Sequence, residues 1–373
     1  MIAEGFYMAA LLSASGVSPG IARRLAERFG SAATAWNAVA GELAVDLAEA
    51  PRQALLALRR KKPDLPEDIA ETCGKKGIAV CTMRDAVYPS LLREIYSPPP
   101  VLFYRGSLDS CALRLAMVGA RRASPYGKHA AEEIAAGLAA AGITVVSGAA
   151  RGIDTASHRG ALTKGRTVAV LGCGLDVVYP PENGRLLAEI AERGAVLSEY
   201  PPGTRPLAPF FPARNRIISG LSRGTIVVEA AEKSGSLITA ELALSEGRDV
   251  FAVPGSVYSE TSRGCHRLIQ AGAKLVTGVA DILAEYNGTV PAADLPTAAK
   301  PQAAPANLSA EEQAVYDVLS FETALTVDEI IYRLHGTAEV SNVAFLLLQM
   351  ELAGWVEGDE NRAYTRAVKE VNR

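Results

Sequence analysis

Residues 113–147 read LRLAMVGARRASPYGKHAAEEIAAGLAAAGITVVS, and this pattern decides the fold. A short apolar run over 113–118 ends in a loop of Gly, Arg and Ser. An alanine-rich stretch over 128–141 follows, Gly142 stops it, and a second apolar run fills 143–147. Short continuous apolar runs suit strands covered on both faces, and a helix between two of them is the crossover a parallel sheet requires. The alternation continues along the chain. Strands are expected near 167–171, 195–198, 225–229, 250–253 and 274–276, and helices near 154–163, 184–192, 214–221, 236–246, 265–271 and 279–285. The expected class is α/β, a Rossmann-like, doubly wound, mostly parallel sheet.

The flanks read differently. Residues 1–62 form an expected small helical domain of SAM or helix-hairpin-helix type. There Leu11 to Phe29 reads as helix, tight turn and helix, with Pro19 near the first helical position, where its missing N–H costs little. Residues 63–288 are the extended Rossmann-like domain, entered through a connector over 63–100 that ends in Ser97-Pro-Pro-Pro100. Residues 289–307 are Pro/Ala-rich and nearly uncharged, the composition of a linker. Residues 308–373 read as three helices (308–321, 326–334 and 339–353) and a hairpin over 355–365, a winged-helix pattern.

Charge separates these parts. The net charge is −3 overall, but residues 101–290 carry 20 Lys+Arg against 17 Asp+Glu, and residues 306–373 carry 5 against 12. An acidic module is appended to a mildly basic body. The cysteines, Cys73, Cys81, Cys111, Cys173 and Cys265, are odd in number and lack paired spacing. That argues for a reducing compartment and against a disulfide or zinc framework. No signal peptide opens the chain, and no run of about 18 apolar residues spans a membrane. A cytoplasmic protein is expected.

In an open α/β sheet, ligands bind outside the carboxyl ends of the strands. The loops expected there carry Gly119, Arg121, Arg122 and Tyr126, then Ser147, Gly148 and Arg151, then Glu229, then Lys233, Gly235 and Ser236, then Pro254-Gly255. The stretch Phe211-Pro-Ala-Arg-Asn-Arg-Ile-Ile-Ser-Gly220 opens an apolar helix with Phe211, Arg214, Asn215 and Arg216. A helix start offers unpaired N–H groups, and two arginines beside it make an anion clamp. Phe210 and Phe211 offer flat faces to bases. The plainer reading is a surface helix whose arginines face water. Asp154 and Glu229 are expected to cap N–H groups or pair with Arg151 rather than to act as acid and base.

Other chemistries fit poorly. The first loop is not Gly-x-Gly-x-x-Gly. Residues 160–167 approach a phosphate-binding loop, but Arg166 stands where Lys is needed, and a strand follows rather than precedes it. His129, His158, His266 and His335 have no metal spacing. Arginines and aromatics without catalytic machinery suit single-stranded nucleic acid.

Residues 80–285 resemble the DNA-processing protein A family (DprA, also called Smf). The resemblance rests on Tyr88-Pro89, residues 100–106, Val118-Gly-Ala-Arg-Arg122 with Tyr126-Gly127, and residues 147–154. It continues through 211–218, Glu229, residues 234–239, Pro254-Gly255, Gly264, Leu268-Ile269 and Gly272-Ala273. It implies a protein without established catalysis or cofactor. Such a protein binds incoming single-stranded DNA in natural transformation, protects it, helps load the RecA recombinase while displacing single-strand-binding protein, and dimerises through the Rossmann-like domain. The family's basic pocket maps onto Arg121, Arg122, Arg151, Arg214 and Arg216, with Gly119, Ser147, Gly148 and Ser236 as backbone donors.

Two other readings compete. A nucleotide phosphoribohydrolase of the lysine-decarboxylase-like (LOG) type shares this topology, but its Pro-Gly-Gly signature is broken here, where only Gly235, Ser236 and Glu241 suggest it. A transcription regulator would read DNA with the winged helix, yet residues 339–353 contain no Lys or Arg.

Overall fold

A computed structural model describes residues 2–108, 113–286, 308–321, 323–334, 342–359 and 362–367. The expected linker over 289–307, Cys111, His335, the start of the expected third helix (339–341) and the hairpin tip (360–361) lie outside the described residues.

The N-terminal part is helical: α1 (Glu4–Leu12), α2 (Pro19–Arg28), α3 (Ala32–Asn37), α4 (Ala40–Leu43) and α5 (Glu49–Lys61). The Ser18 hydroxyl accepts from Ile21 N–H and Pro19 opens α2, so a cap and a prolyl residue set this boundary. The connector expected over 63–100 is instead structured, with α6 (Leu65–Lys75), β1 (Ala79–Thr82) and α7 (Ser90–Arg93). Pro66 stands in the first turn of α6, where no N–H is missed. β1 is half exposed and lacks a full apolar run; its pairing with β2 (Val101–Gly106) makes it a strand.

Then come β3 (Arg114–Val118), α8 (Pro125–Ala140), β4 (Thr144–Ser147), α9 (Ile153–Lys164), β5 (Thr167–Val170), α10 (Gly184–Arg193), β6 (Ala195–Ser198), α11 (Phe210–Gly220) and β7 (Gly224–Val227). The domain closes with α12 (Gly235–Ser245), β8 (Asp249–Ala252), α13 (Arg263–Gln270), β9 (Lys274–Leu275) and α14 (Val279–Leu283). The expected alternation is present with shifted boundaries. The near-match to a phosphate loop over 160–167 closes α9 and enters β5.

The sheet order is β1-β2-β6-β5-β4-β3-β7-β8-β9. β1 and β2 pair antiparallel at one edge; β3 to β9 pair in parallel. From β3 the chain steps outward through β4, β5 and β6. It then returns along α11 to β7 on the other side of β3. That reversal is the topological switch point, where an open sheet leaves a crevice at its carboxyl edge. The N-terminal helices share an apolar cluster with the sheet, with Leu11, Leu25 and Trp36 joining Val101 and Phe103.

The C-terminal module has α15 (Ala310–Val318), β10 (Leu325–Thr326), α16 (Val327–Leu334), α17 (Val343–Leu352), β11 (Val356–Gly358) and β12 (Ala363–Arg366), with sheet order β10-β12-β11. Val315, Ile330, Leu347, Met350 and Val356 form its own core. This is the expected winged helix. Its third helix begins at Val343, where Asn342 accepts Phe345 N–H. Among the described residues no helix is long and apolar enough to cross a membrane.

Candidate functional site

The loops at the carboxyl edge interlock. After β3, Ala120 N–H donates to Glu229 O at 2.7 Å, and Ile153 N–H donates to Ala120 O at 3.2 Å. From α11, Asn215 Nδ2 donates to Gly235 O at 3.3 Å, tying that helix to the start of α12. Tyr126 donates its hydroxyl hydrogen to Pro254 O at 2.8 Å, linking α8 to the loop after β8. Loops far apart in sequence therefore share one frame around β3 and β7.

The helix that carries the arginine pair starts at Phe210, so Arg214 lies in its second turn. Arg214 is only 4% exposed, which corrects the expectation of a surface clamp at the helix start. Its Nη1 donates to Gly148 O at 2.7 Å and to Val170 O, at the ends of β4 and β5, while Nε is buried without a partner among the described residues. Burial pushes this guanidinium down to about 10, with Asp154 working to hold it up and Arg121 adding to the fall. A Cβ on Gly148 would stand 2.6 Å from the guanidinium, so a side chain there would have to displace it.

Arg216 is no free clamp either. It makes a bidentate pair with Glu199 at 2.7 and 2.6 Å and donates from Nε to Ser97 O at 3.0 Å. Burial opposes its charge, but the Glu199 pair prevails and raises its pKa. Arg216 thereby pins the Pro-rich turn at 97–100 to α11. Residue order shows neither contact, because Ser97 is 119 residues from Arg216 and Glu199 is 17 residues away on another loop.

The buried carboxylates serve the backbone, as expected. Asp154 accepts Ala150 N–H at 3.2 Å, and burial raises its pKa against the pull of Arg214. Glu229 accepts Ser124 N–H at 2.9 Å and the Thr261 hydroxyl, stapling two loops together. Neither pairs with Arg151, which instead holds Glu182. His158 is fully buried, with Nδ1 at 2.7 Å from Thr167 Oγ1, and burial lowers its pKa to about 3.

The outer surface is what a ligand meets. The Arg121 guanidinium lies over the Phe211 ring, 5.3 Å from its centroid, and Tyr179 stands 5.3 Å from the same ring. Tyr179 is 39% exposed and was not among the residues picked from sequence; its loop showed no strand or charge signal. Phe210 stacks instead on Tyr200 at 4.3 Å. Arg121, Arg122, Arg151, Lys233 and Gly235 are exposed, and Gly119, Tyr126, Phe211 and Asn215 are half-buried. Ser147, Gly148 and Ser236 are buried; Ser147 donates its hydroxyl hydrogen to Met117 O at 2.6 Å, so its side chain serves the sheet. Ser234 caps α12 by accepting Ser236 N–H at 3.4 Å, so that N–H is engaged. Glu241, the carboxylate a hydrolase reading would use, is exposed on α12. The rim thus offers cations and rings, with fixed buried charges below. Among the described residues no group of three His, Cys, Asp or Glu side chains is placed to hold a metal ion.

Comparison with known proteins agrees with this architecture. A family profile described as DNA recombination-mediator protein A matches residues 79–287, and one described as DprA winged helix domain matches residues 299–360. DNA processing protein DprA of Streptococcus pneumoniae is 54% identical over 204 residues, covering 54% of this chain and 72% of that protein. Protein Smf of Synechocystis is 39% identical over 297 residues, covering 78% of this chain and 74% of that protein. The X-ray structure of the Streptococcus pneumoniae protein superposes with a TM-score of 0.68 at 41% identity, covering 76% of this chain and 99% of that one. A structure of DNA processing protein A from Helicobacter pylori, described for its single-stranded DNA binding mode, superposes with a TM-score of 0.51 at 31% identity. It covers 56% of this chain and 95% of that one.

Proposed function

The chain belongs to the DNA recombination-mediator protein A family, known as DprA or Smf, and from that premise we propose that it binds single-stranded DNA along the carboxyl edge of its sheet. The observation that carries this reading is the Arg121–Phe211–Tyr179 arrangement, a cation and two rings on one exposed rim. Cations follow phosphates, and rings stack on bases whatever the sequence. Arg122, Lys233 and Arg151 extend the positive rim, Arg151 as one half of its pair with Glu182. Gly119, Tyr126, Asn215 and Gly235 line the approach, while Ser147, Gly148, Arg214, Arg216 and Ser236 form its floor. The related Helicobacter pylori protein, with its single-stranded DNA binding mode, supports the choice of ligand.

Its role is that of a mediator rather than an enzyme. It protects incoming single strands in the cytoplasm, displaces single-strand-binding protein and helps load RecA, acting as a homodimer. Glu229 and Asp154, the buried acids of the edge, are held by backbone donors rather than poised as acid and base, which favours binding over hydrolysis.

A titration with single- and double-stranded oligonucleotides at several salt concentrations tests the reading. Single strands should bind more tightly, with log affinity falling by about 0.7 per log unit of salt for each phosphate contacted. Equal affinity for duplex, or a constant independent of salt, overturns it. Release of free base from a nucleoside monophosphate would instead favour the phosphoribohydrolase reading.

A further inference from the structure

Arg214 lies beneath the proposed rim rather than on it. It is 4% exposed, and one guanidinium nitrogen donates to both Gly148 O and Val170 O. Those carbonyls end two adjacent strands, so the guanidinium spans the sheet edge from below. The segment it grips is conformationally unusual. Ala149 sits at φ 53° and Gly152 at φ 74°, both in the left-handed region. Ala150 N–H is turned inward to Asp154 at 3.2 Å. Gly152 packs so closely on the preceding loop that a Cβ there would collide with Ala120 O, and Ile153 N–H holds that same carbonyl at 3.2 Å. The Ser147–Gly152 segment therefore braces the loop that presents Arg121, and it carries Arg151 itself.

We propose that Arg214 is a positioning residue for the DNA-binding rim. Its guanidinium holds the segment after β4 and, through Ala120, the Arg121 loop, and it makes no contact with phosphate. One nitrogen of a planar guanidinium meets both carbonyls at once, a fixed geometry that the freely rotating ammonium of lysine on its shorter stem does not reproduce. Gly148 belongs to the same device, because any side chain there would displace the guanidinium. The proposal rests on the DNA-binding reading above.

The experiment measures the affinity of the full chain for a fluorescein-labelled oligothymidine, with melting curves to confirm folding. The variants are Arg214→Lys, Arg214→Met, Gly148→Ala and the double Arg214→Met/Gly148→Ala. Arg214→Lys and Gly148→Ala are each expected to weaken binding ten-fold or more while folded. The double variant should bind no worse than Gly148→Ala alone, since the group that the new Cβ displaces is already gone. Affinity of Arg214→Lys within about three-fold of wild type overturns the proposal, since a phosphate contact survives exchange of one cation for the other. Additive losses in the double variant overturn it too. Should Arg214→Met not fold with Asp154 left alone, Arg214→Met/Asp154→Asn takes its place and must show the same loss. Failure of the wild-type protein to bind the oligonucleotide would instead sink the DNA-binding reading itself.

Discussion

Arg121 lies in the loop after β3 and Phe211 in the first turn of α11, yet the guanidinium lies over the ring at 5.3 Å from its centroid. The contact presents a stacking face and a positive charge together, which is what a flexible strand of DNA needs from a rim. Base–aromatic stacking is worth about 1–3 kcal/mol per base. Phe211→Ala should therefore weaken single-strand binding about ten-fold or more, roughly 1.4 kcal/mol. Tyr179→Ala should lower affinity as well, since its ring stands 5.3 Å from that of Phe211. Fluorescence anisotropy measures both; unchanged affinity in Phe211→Ala would move the stacking site elsewhere.

Arg216 and Glu199 behave as a structural pair, their side chains 17% and 12% exposed. Removing one member of a buried pair leaves the other charge uncompensated, at a cost of about 3–5 kcal/mol. Arg216→Ala should lower stability to urea by that order, and Arg216→Met/Glu199→Gln by clearly less. Equal losses in the single and double variants would show that the pair is not the source.

Gly127 faces the carboxylate of Glu229, so closely that an added Cβ would collide with it. Gly127→Ala should cost about 1–3 kcal/mol through overpacking and loosen the bond from Ser124 N–H to Glu229 beside the start of α8. Calorimetric melting checks this, and a wild-type transition would refute it.

His158 supplies a pH dependence. Thr167 gives its hydroxyl hydrogen to Val145 O at 2.8 Å, so His158 Nδ1–H donates to Thr167 Oγ1 and the ring is neutral. Burial, reinforced by Arg214, holds the folded pKa at about 3, against about 6.5 in an unfolded chain. The unfolded chain binds the extra proton between those values. Stability from this group is complete above about pH 6.5 and is lost as pH falls toward 3, by up to about 1.4 kcal/mol per unit. Urea unfolding across that range should show a shallower slope in His158→Gln than in wild type.

The winged helix should contribute little to DNA affinity. Residues 306–373 carry 5 Lys+Arg against 12 Asp+Glu, and phosphate contacts dominate nonspecific binding. Its third helix turns Phe345, Leu348 and Leu352 outward rather than cations, a surface that suits protein contact better than phosphate. Ending the chain near residue 290 should leave single-strand affinity equal or slightly higher. A ten-fold loss in a folded, truncated protein would contradict this.

The sheet was legible from sequence because its signal is local. A strand covered on both faces must be a continuous apolar run, and a crossover helix must follow it, so β3 to β9 and the winged helix could be read from residue order. β1 and β2 escaped: β1 is a half-exposed edge strand with no such run, and β2 pairs antiparallel at the edge without the crossover helix that marks a parallel strand. The loops at the carboxyl edge were legible too, as clusters of Gly, Ser and Arg after the strands. Tertiary structure alone decided what those arginines do. Arg121 and Arg214 are the same residue type in similar polar stretches, yet one faces solvent over Phe211 and the other is sealed under Gly148. The carbonyls that bind Arg214 lie 66 and 44 residues away in the chain, and the partner of Arg216 lies on a different loop. A charge reveals its place only once burial and pairing are known, and both are set by contacts between segments that residue order does not bring together.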